Sequence, residues 1–258
     1  MEIIPDIEEK ERDMPVEVHP SAVVGPDVLL GEGSVIGPFV VISGQVELGI
    51  GTIIESHCSI SGDRENPTTI GPGSIVRSHS CIYPGVVVGS GFESGHHVTV
   101  RSGSLIGSNV SIGTMSDIQG NCEIGDFTHL HSNVHVCQGS KIGKFCWLFP
   151  GVIMTNDPRP PSSISTGPTV EDEVVLTVNV TLMPGVLVRK GTVALPGAVI
   201  AGDTTEDSLH FGPRGSQLDS VKHIRMPSSG TQAYPWIVRF GEGEYPSQNL
   251  ESQRNKRH

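Results

Sequence analysis

Several polar residues recur at spacings that could place them together for proton transfer. His97 and Asn133 lie thirty-six residues apart, and His135 follows Asp117 by eighteen residues. Histidine is the side chain best suited to accept a proton near neutral pH, and a nearby carboxylate fixes its tautomer. The spacing therefore indicates general-base chemistry. The candidate catalytic residues are His97, His96, His135, Asp117 and Asn133.

A six-residue repeat through most of the chain would position these side chains. An aliphatic residue recurs at every sixth position, as at Ile106, Ile112 and Ile118, and a glycine often follows it. Two residues before the aliphatic position the side chain is small, as at Ser104 and Ser116. Residues two apart in a strand share a face, so each hexad sends one large and one small side chain inward. A fixed short period of this kind is typical of a parallel β-helix.

The limits of the repeat predict the organisation of the chain. An N-terminal extension covers residues 1–17, the β-helix covers 18–203, and an irregular C-terminal tail covers 204–258. Two interruptions of the repeat predict projecting loops at 61–69 and 155–169. The predicted fold is all-β, and the glycine after each aliphatic residue is expected to supply unusual backbone angles at the corners.

Charge and composition exclude several classes of protein. The 258 residues carry a formal net charge of −11, which argues against non-specific nucleic-acid binding. No apolar run approaches the length of a membrane span, and the acidic start lacks the features of a signal peptide, so we expect a cytoplasmic protein. The cysteines form no CxxC pair. Cys58, Cys122 and Cys146 occupy the small inward position, where core packing accounts for them.

Over roughly residues 18–203, the repeat resembles the hexapeptide repeat of left-handed β-helix acyltransferases. The resemblance implies a left-handed triangular prism with three hexads per turn, assembled as a homotrimer. Many members carry a histidine base in the motif His-Asp-Cys-x-Ile, but residues 120–124 read GNCEI here. The same phase is filled earlier by HHVTV at residues 96–100. Either His96 or His97 takes the role of the base, or no side-chain base is needed.

A second stretch resembles a subfamily motif. Residues 149–157 read FPGVIMTND and are followed by prolines, similar to the F-T-N-D-x-x-P-R segment of sugar-nucleotide N-acetyltransferases. The resemblance implies that Asn156 lies near the reacting amine, whereas turn formation before a proline is the alternative reading of Asn156 and Asp157. The candidate substrate-binding residues are Arg101, His131, Asn156 and Asp157.

The end of the repeat offers candidates for cofactor binding. Residues 211–214 read FGPR and partly match a G-x-P-A-[RK] segment whose basic residue approaches coenzyme A phosphates in relatives. A solvated surface arginine is the alternative. Small residues in the later coils leave room for the pantetheine arm, and a short helix is expected near 218–224. The candidate cofactor-binding residues are Trp147, Gly185, Gly197, Ala198 and Arg214.

The resemblance favours an acyl-CoA-dependent N-acyltransferase. Acetyl-CoA, or another short acyl-CoA, would acylate an amino sugar of a nucleotide-linked sugar for surface polysaccharide or glycoconjugate synthesis, with no metal. Backbone N–H groups of the glycine-rich corners are expected to act as oxyanion donors.

Two alternatives remain open at this stage. A gamma-class carbonic anhydrase shares the fold and needs three histidines on zinc. Its Gly-His-x-x-x-x-His pair is incomplete, because Arg101 stands in the second place after Gly95 and His96, although His131 and His135 keep a chelating spacing. The other alternative is a β-helix scaffold without catalytic activity.

Overall fold

The computed structural model describes residues 15–159, 165–212, 216–220, 223 and 225. These residues form short strands and contain no α-helix. The strands fall into three sheets, and from the first strand to the twenty-ninth the chain visits the sheets in a fixed cyclic order, one strand in each per turn, whereas the last two strands both join the first sheet. The predicted all-β parallel β-helix is confirmed.

Sheet A holds the first strand of each turn. Its strands, in spatial order, are β1 (Glu17–Val18), β4 (Val35–Ile36), β7 (Ile53–Ile54), β10 (Ile75–Val76), β13 (Glu93–Ser94), β16 (Ser111–Ile112), β19 (His129–Leu130), β22 (Trp147–Leu148), β25 (Val175–Leu176), β28 (Val193–Ala194), β30 (Ser208–Phe211) and β31 (Ser216–Ser220).

Sheet B holds the second strand of each turn. Its strands are β2 (Val23–Val24), β5 (Val41–Ser43), β8 (Ser59–Ser61), β11 (Cys81–Ile82), β14 (Thr99–Val100), β17 (Asp117–Ile118), β20 (His135–Val136), β23 (Ile153–Met154), β26 (Thr181–Leu182) and β29 (Val199–Ile200).

Sheet C holds the third strand of each turn. Its strands are β3 (Val28–Leu30), β6 (Val46–Leu48), β9 (Thr68–Ile70), β12 (Val87–Val88), β15 (Leu105–Ile106), β18 (Glu123–Ile124), β21 (Lys141–Ile142), β24 (Thr169–Val170) and β27 (Leu187–Val188). We call the corners between successive sheets the A/B, B/C and C/A edges.

The interior follows the predicted pattern of one large and one small side chain per hexad. Ile112 and Ile118 are buried at 1% and 0% exposure, and the small Ser104 is also at 0%. Buried hydroxyl groups need partners, and they find them in nearby backbone carbonyls. The Ser104 Oγ atom, for example, donates to the carbonyl oxygen of Arg101 at 2.9 Å. Such bonds tie the core to the corners that carry the candidate site.

The glycines after the aliphatic positions have a different role from the predicted one. Gly95 and Gly113 do not adopt positive φ. Instead, a Cβ atom at Gly95 would lie 2.3 Å from the Thr114 nitrogen, and one at Gly113 would lie 2.4 Å from the carbonyl carbon of His131. These glycines are therefore required by the close approach of the next coil. The positive φ angles fall two residues later, at positions such as His97 and Met115.

The predicted interruptions are present, and the tail departs from expectation. The first loop spans 62–67, between β8 and β9, and the second interruption lies between the end of β23 at Met154 and the start of β24 at Thr169. Beyond the predicted end of the repeat, β30 pairs parallel with β28 and so extends sheet A. The strand β31 then pairs antiparallel with β30, so the expected helix near 218–224 is wrong for Ser216–Ser220.

The cysteines are free thiols, and four of the five are buried. Burial raises the pKa of Cys58 to about 11 and that of Cys146 to about 12, and it also raises the pKa of Cys122. These thiols therefore stay protonated near neutral pH and act as core residues. Membrane-spanning helices are absent from the part of the chain that the structure describes.

Candidate active site

One column of residues follows the A/B edge, at the corner position that requires positive φ. Its φ angles lie between 56° and 62°. The imidazole rings stack as predicted, with centroids 4.7 Å apart for His57 and His79 and 4.8 Å apart for His79 and His97. In chain order the edge column contains Phe39, His57, His79, His97, Met115 and Asn133.

The stack changes the acid–base behaviour of its middle ring. The pKa of His79 is lowered, first by desolvation and then by the neighbouring rings of His57, His97 and His96. His97 lies at the end of the stack, with Met115 on its other side along the edge column. Its exposed ring leaves one face without an aromatic neighbour among the described residues, so it is the stacked histidine best placed to meet a substrate.

His96 lies beside the edge column and makes its own contacts. Its Nδ1 atom is 2.8 Å from the Oγ atom of Ser78 and 3.9 Å from Oε2 of Glu55. Glu55 is also paired with Arg77 at 3.1 Å. The contact with Ser78 occupies Nδ1, which leaves Nε2 of this exposed histidine for proton exchange.

Three predicted site residues meet on sheet B. Asp117 and His135 are directly paired on β17 and β20, as the spacing predicts. The Oδ2 atom of Asp117 lies 3.6 Å from Nδ1 of His135. Arg101 donates to both carboxylate oxygens of Asp117, from Nε and from Nη2, each at 3.2 Å. Arg101 was expected to bind substrate, and its remaining N–H groups can still do so.

Asn133 and His135 are separated by only one residue but lie on different parts of the prism. The exposed Asn133 belongs to the edge column, whereas His135 faces outward from sheet B. Met115 separates Asn133 from His97 along the edge. The structure thus brings His135, Asp117 and Arg101 into one connected group, with Asn133 beside it and His97 two coils away.

His131 and Trp147 lie on the sheet A side of the A/B edge, away from the group on sheet B. His131 stacks on Phe149 with centroids 4.8 Å apart. Trp147 packs against His129 at 4.6 Å and lies 6.3 Å from His131. We call His129, His131, Trp147 and Phe149 the ring cluster. His129 and Phe149 were not predicted as site residues, although His129 stands eighteen residues before Trp147 and is therefore its neighbour in sheet A.

The two residues of the second motif have separate roles at the B/C edge. The Nδ2 atom of Asn156 donates to the carbonyl oxygen of Gln138 at 3.4 Å. The Oδ1 atom of Asp157 accepts a hydrogen bond from the backbone N–H of Arg159 at 2.9 Å. That bond between residues two apart is the turn chemistry considered above as an alternative. Asn156 therefore remains the better candidate for contact with substrate.

The residues predicted to line the cofactor arm are not gathered on one edge. Gly185 lies at the B/C edge and Gly197 at the A/B edge, on opposite sides of sheet B. The Ala198 side chain is fully buried in the core, so only its backbone could approach a ligand. Arg214 lies outside the described residues.

Two of the glycine-rich corners use their N–H groups within the fold rather than leaving them free as oxyanion donors. The N–H of Gly113 donates to the carbonyl oxygen of Leu130 at 2.7 Å, and that of Gly197 donates to Val178 at 2.9 Å. These bonds hold successive coils together. An exposed side-chain amide such as that of Asn133 is a better candidate donor.

Within residues 15–159, 165–212 and the other described positions, no three His, Cys, Asp or Glu side chains converge in a way that could hold a metal ion. The place of the second histidine in the zinc-binding pair is filled by Arg101, whose guanidinium is paired with Asp117.

No protein-family model matches the sequence. A segment of 44 residues is 54% identical to a UDP-3-O-acylglucosamine N-acyltransferase of Leptothrix cholodnii, covering 17% of this chain and 13% of that protein. A segment of 65 residues is 35% identical to an acyl-[acyl-carrier-protein]–UDP-N-acetylglucosamine O-acyltransferase of Saccharophagus degradans, covering 25% of this chain and 24% of the relative. The matches thus span less than a quarter of either curated relative.

Two solved structures resemble the whole described fold. The UDP-N-acetylglucosamine acyltransferase of Arabidopsis superimposes with a TM-score of 0.51 at 18% identity, covering 91% of each chain. The corresponding enzyme of Francisella novicida gives the same TM-score and identity, covering 92% of this chain and 77% of the other. The chain has the β-helix fold of the hexapeptide-repeat acyltransferases. At this identity, likeness to hexapeptide-repeat enzymes establishes the shared fold alone.

Proposed function

We propose that this chain is an acyltransferase that moves an acyl group from acetyl-CoA, or another short acyl-CoA, to the amino group of a nucleotide-linked amino sugar. The observation that carries the proposal is the contact of Asp117 with His135, 3.6 Å apart, on the outer face of the β-helix. Both curated relatives are named as acyltransferases of UDP-linked glucosamine compounds, which supports a nucleotide-linked sugar as the acceptor.

The proposed geometry supplies a base with a fixed tautomer. If Nδ1 of His135 carries its proton toward the Asp117 carboxylate, Nε2 presents a lone pair to solvent. Arg101 holds the carboxylate in place through two hydrogen bonds of 3.2 Å. A base of this kind typically contributes about 10²–10⁴-fold to the rate.

The reaction needs one proton removed and one bond exchanged. The amine nitrogen attacks the thioester carbonyl carbon, and its excess proton passes to the histidine. The carbon–sulfur bond breaks, and the thiol leaves with a proton. The Asn133 amide, exposed beside His135, is proposed to donate to the carbonyl oxygen as negative charge develops there. His97 is proposed as the alternative base, and Asn156 as the residue that positions the amine.

The identity of the donor and acceptor requires a direct test. The relative from Saccharophagus degradans is named for an acyl-carrier-protein donor and O-acylation, so both possibilities enter the experiment. The purified chain would be incubated with acetyl-CoA or an acetylated acyl carrier protein, and with UDP- and dTDP-linked amino sugars or their hydroxyl counterparts. Free thiol release and the mass of the sugar nucleotide would be followed together.

The proposal predicts thiol release and an acetylated amino sugar with acetyl-CoA, and a strong loss of both in the His135→Ala variant. The matched control is Leu105→Ala, which truncates an exposed side chain at the equivalent outward position of sheet C. Transfer only to hydroxyl acceptors would replace the proposed amino acceptor. Transfer only from the carrier protein would replace acetyl-CoA as the proposed donor. Absence of transfer with every donor and acceptor would overturn it.

A further inference from the structure

The ring cluster is an aromatic surface that the proposed chemistry does not use. Its members come from two adjacent coils of sheet A and from the corner that follows each strand. His129 and Trp147 are directly paired on β19 and β22. Their rings lie 4.6 Å apart with an interplanar angle of 40°, and Trp147 lies 6.4 Å from Phe149.

The exposure of the cluster is uneven. Trp147 is 40% exposed although its ring is large and apolar, whereas His129, His131 and Phe149 are partly buried around it. An open indole supported by neighbouring rings offers a flat surface with little conformational freedom to lose on binding.

The polar edge of the cluster is also fixed. The Nδ1 atom of His129 lies 2.7 Å from the Oγ atom of Ser111. When the hydroxyl donates to Nδ1, the proton of the neutral ring lies on Nε2. The pKa of His129 is lowered, first by desolvation and then by the nearby His131, so the neutral ring is favoured at physiological pH. In that tautomer, one N–H donor borders the aromatic surface.

We propose that the ring cluster binds the planar base of a nucleotide, with the base stacked on Trp147 and its edge facing the His129 ring. Bases suit this surface because each has an aromatic face for stacking and acceptor atoms at its edge. A purely apolar partner would cover Nε2 of His129 without giving it a hydrogen-bond partner, which is unfavourable on burial.

This inference rests on the proposed function for the identity of the nucleotide. The base could belong to the sugar nucleotide or to the adenine of coenzyme A. The cluster adjoins the A/B edge, and His131 is two residues from Asn133 and four from His135 along the same coil. A nucleotide held there would therefore lie close to the candidate base.

The experiment measures binding rather than activity. Calorimetric titrations of the full chain with UDP, 3′,5′-ADP and 4′-phosphopantetheine compare two ligands that contain a base with one that lacks it. The variants are Trp147→Ala, Trp147→Phe and the surface control Leu105→Ala. Removal of a stacking ring typically weakens binding by about ten- to a hundredfold.

We expect Trp147→Ala to lose affinity by that factor for UDP, for 3′,5′-ADP or for both, and to bind 4′-phosphopantetheine as the wild-type chain does. Trp147→Phe should retain most of the affinity, and Leu105→Ala all of it. Loss confined to UDP assigns the surface to the sugar nucleotide, and loss confined to 3′,5′-ADP assigns it to coenzyme A.

Two results would overturn the inference. In one, the wild-type chain binds neither base-containing ligand. In the other, Trp147→Ala binds both as tightly as the wild-type chain, or loses 4′-phosphopantetheine equally. Acyl transfer by the wild-type chain with nucleotide binding unaffected by Trp147→Ala would leave the proposed function standing without this site. Trp147-dependent nucleotide binding without acyl transfer would support this site and contradict the proposed function.

Discussion

The carboxylate of Asp117 is shared between His135, whose Nδ1 atom lies 3.6 Å from Oδ2, and Arg101, which donates to both of its oxygens. The arginine fixes the plane of the carboxylate, and the carboxylate in turn faces one nitrogen of the histidine. Because Asp117 and His135 are paired on successive strands of sheet B and Arg101 directly follows the preceding strand, β14, the rigid spacing of the coils sets the geometry.

Replacing Asp117 with asparagine should lower kcat by about one to two orders of magnitude with a smaller effect on KM, because the amide no longer favours the productive tautomer of His135. The matched control is Asp126→Asn. Asp126 also pairs with a cation on the coil above, Lys144 at 2.8 Å, but at the C/A edge. Equal losses of activity in the two variants would indicate a structural effect and contradict the proposed role.

The identity of the base can be tested by replacing each candidate histidine. We expect His135→Ala to lower kcat by roughly two to four orders of magnitude while the fold is retained. His97 should be replaced with asparagine, because Asn133 occupies the same positive-φ corner position. His96→Ala and His131→Ala complete the series, and Asn156→Ala should change kcat and KM together. Less than a tenfold loss in all four histidine variants would show that no histidine side chain acts as the base.

The repeat predicted the sheets, the core and the stacking of residues one turn apart, because all three follow from periodicity. It did not predict which corner residue needs positive φ. Glycine stands at the first corner position, as at Gly95, because the next coil passes too close for a Cβ atom. The left-handed position two residues later is filled by His97 at this corner. The position of a residue in the repeat does not show whether it is set by the close approach of the next coil or by a positive φ angle.

The candidate site was predictable only where contacts run along a column. Asp117 and His135 were identified because they are one turn apart. The contact of Arg101 with Asp117 was missed, because the two residues are sixteen positions apart rather than a full turn and so do not lie in one column. The separation of Gly185 and Gly197 on two edges was also missed, because residues of neighbouring coils share an edge only when they are a whole turn apart.

Homotrimer formation stays a prediction. The candidate site lies on an open edge and two outer faces of the prism, so we expect neighbouring copies of the chain to enclose a substrate there. Sedimentation at micromolar concentration should give three times the chain mass of 27.4 kDa. A stable monomer that is fully active would contradict this expectation.

Coenzyme A binding and acyl transfer should be independent of metal. The second place of the zinc-binding histidine pair is occupied by Arg101, whose positive charge lies beside Asp117 and opposes a cation. Activity measured before and after treatment with a chelator, alongside elemental analysis, should show no change. Stoichiometric zinc together with activity lost on chelation and restored by zinc would support the carbonic anhydrase-like alternative instead.

The histidine stack should make the folded chain sensitive to acid. Because the pKa of His79 is lowered in the folded state, the unfolded chain binds more protons at this residue as the pH falls below its ordinary value of 6.5. The contribution of His79 to the free energy of unfolding is therefore fully present above that pH and is lost as the pH falls through the lowered pKa of His79.

The variant His79→Asn tests this contribution, because asparagine suits positive φ. It should reduce the fall in Tm between about pH 7 and pH 5, the range in which histidine titrates. His19→Asn, outside the stack, is the control and should leave the fall unchanged. If the His79→Asn chain loses as much thermal stability in acid as the wild-type chain, the lowered pKa of His79 does not contribute to acid unfolding.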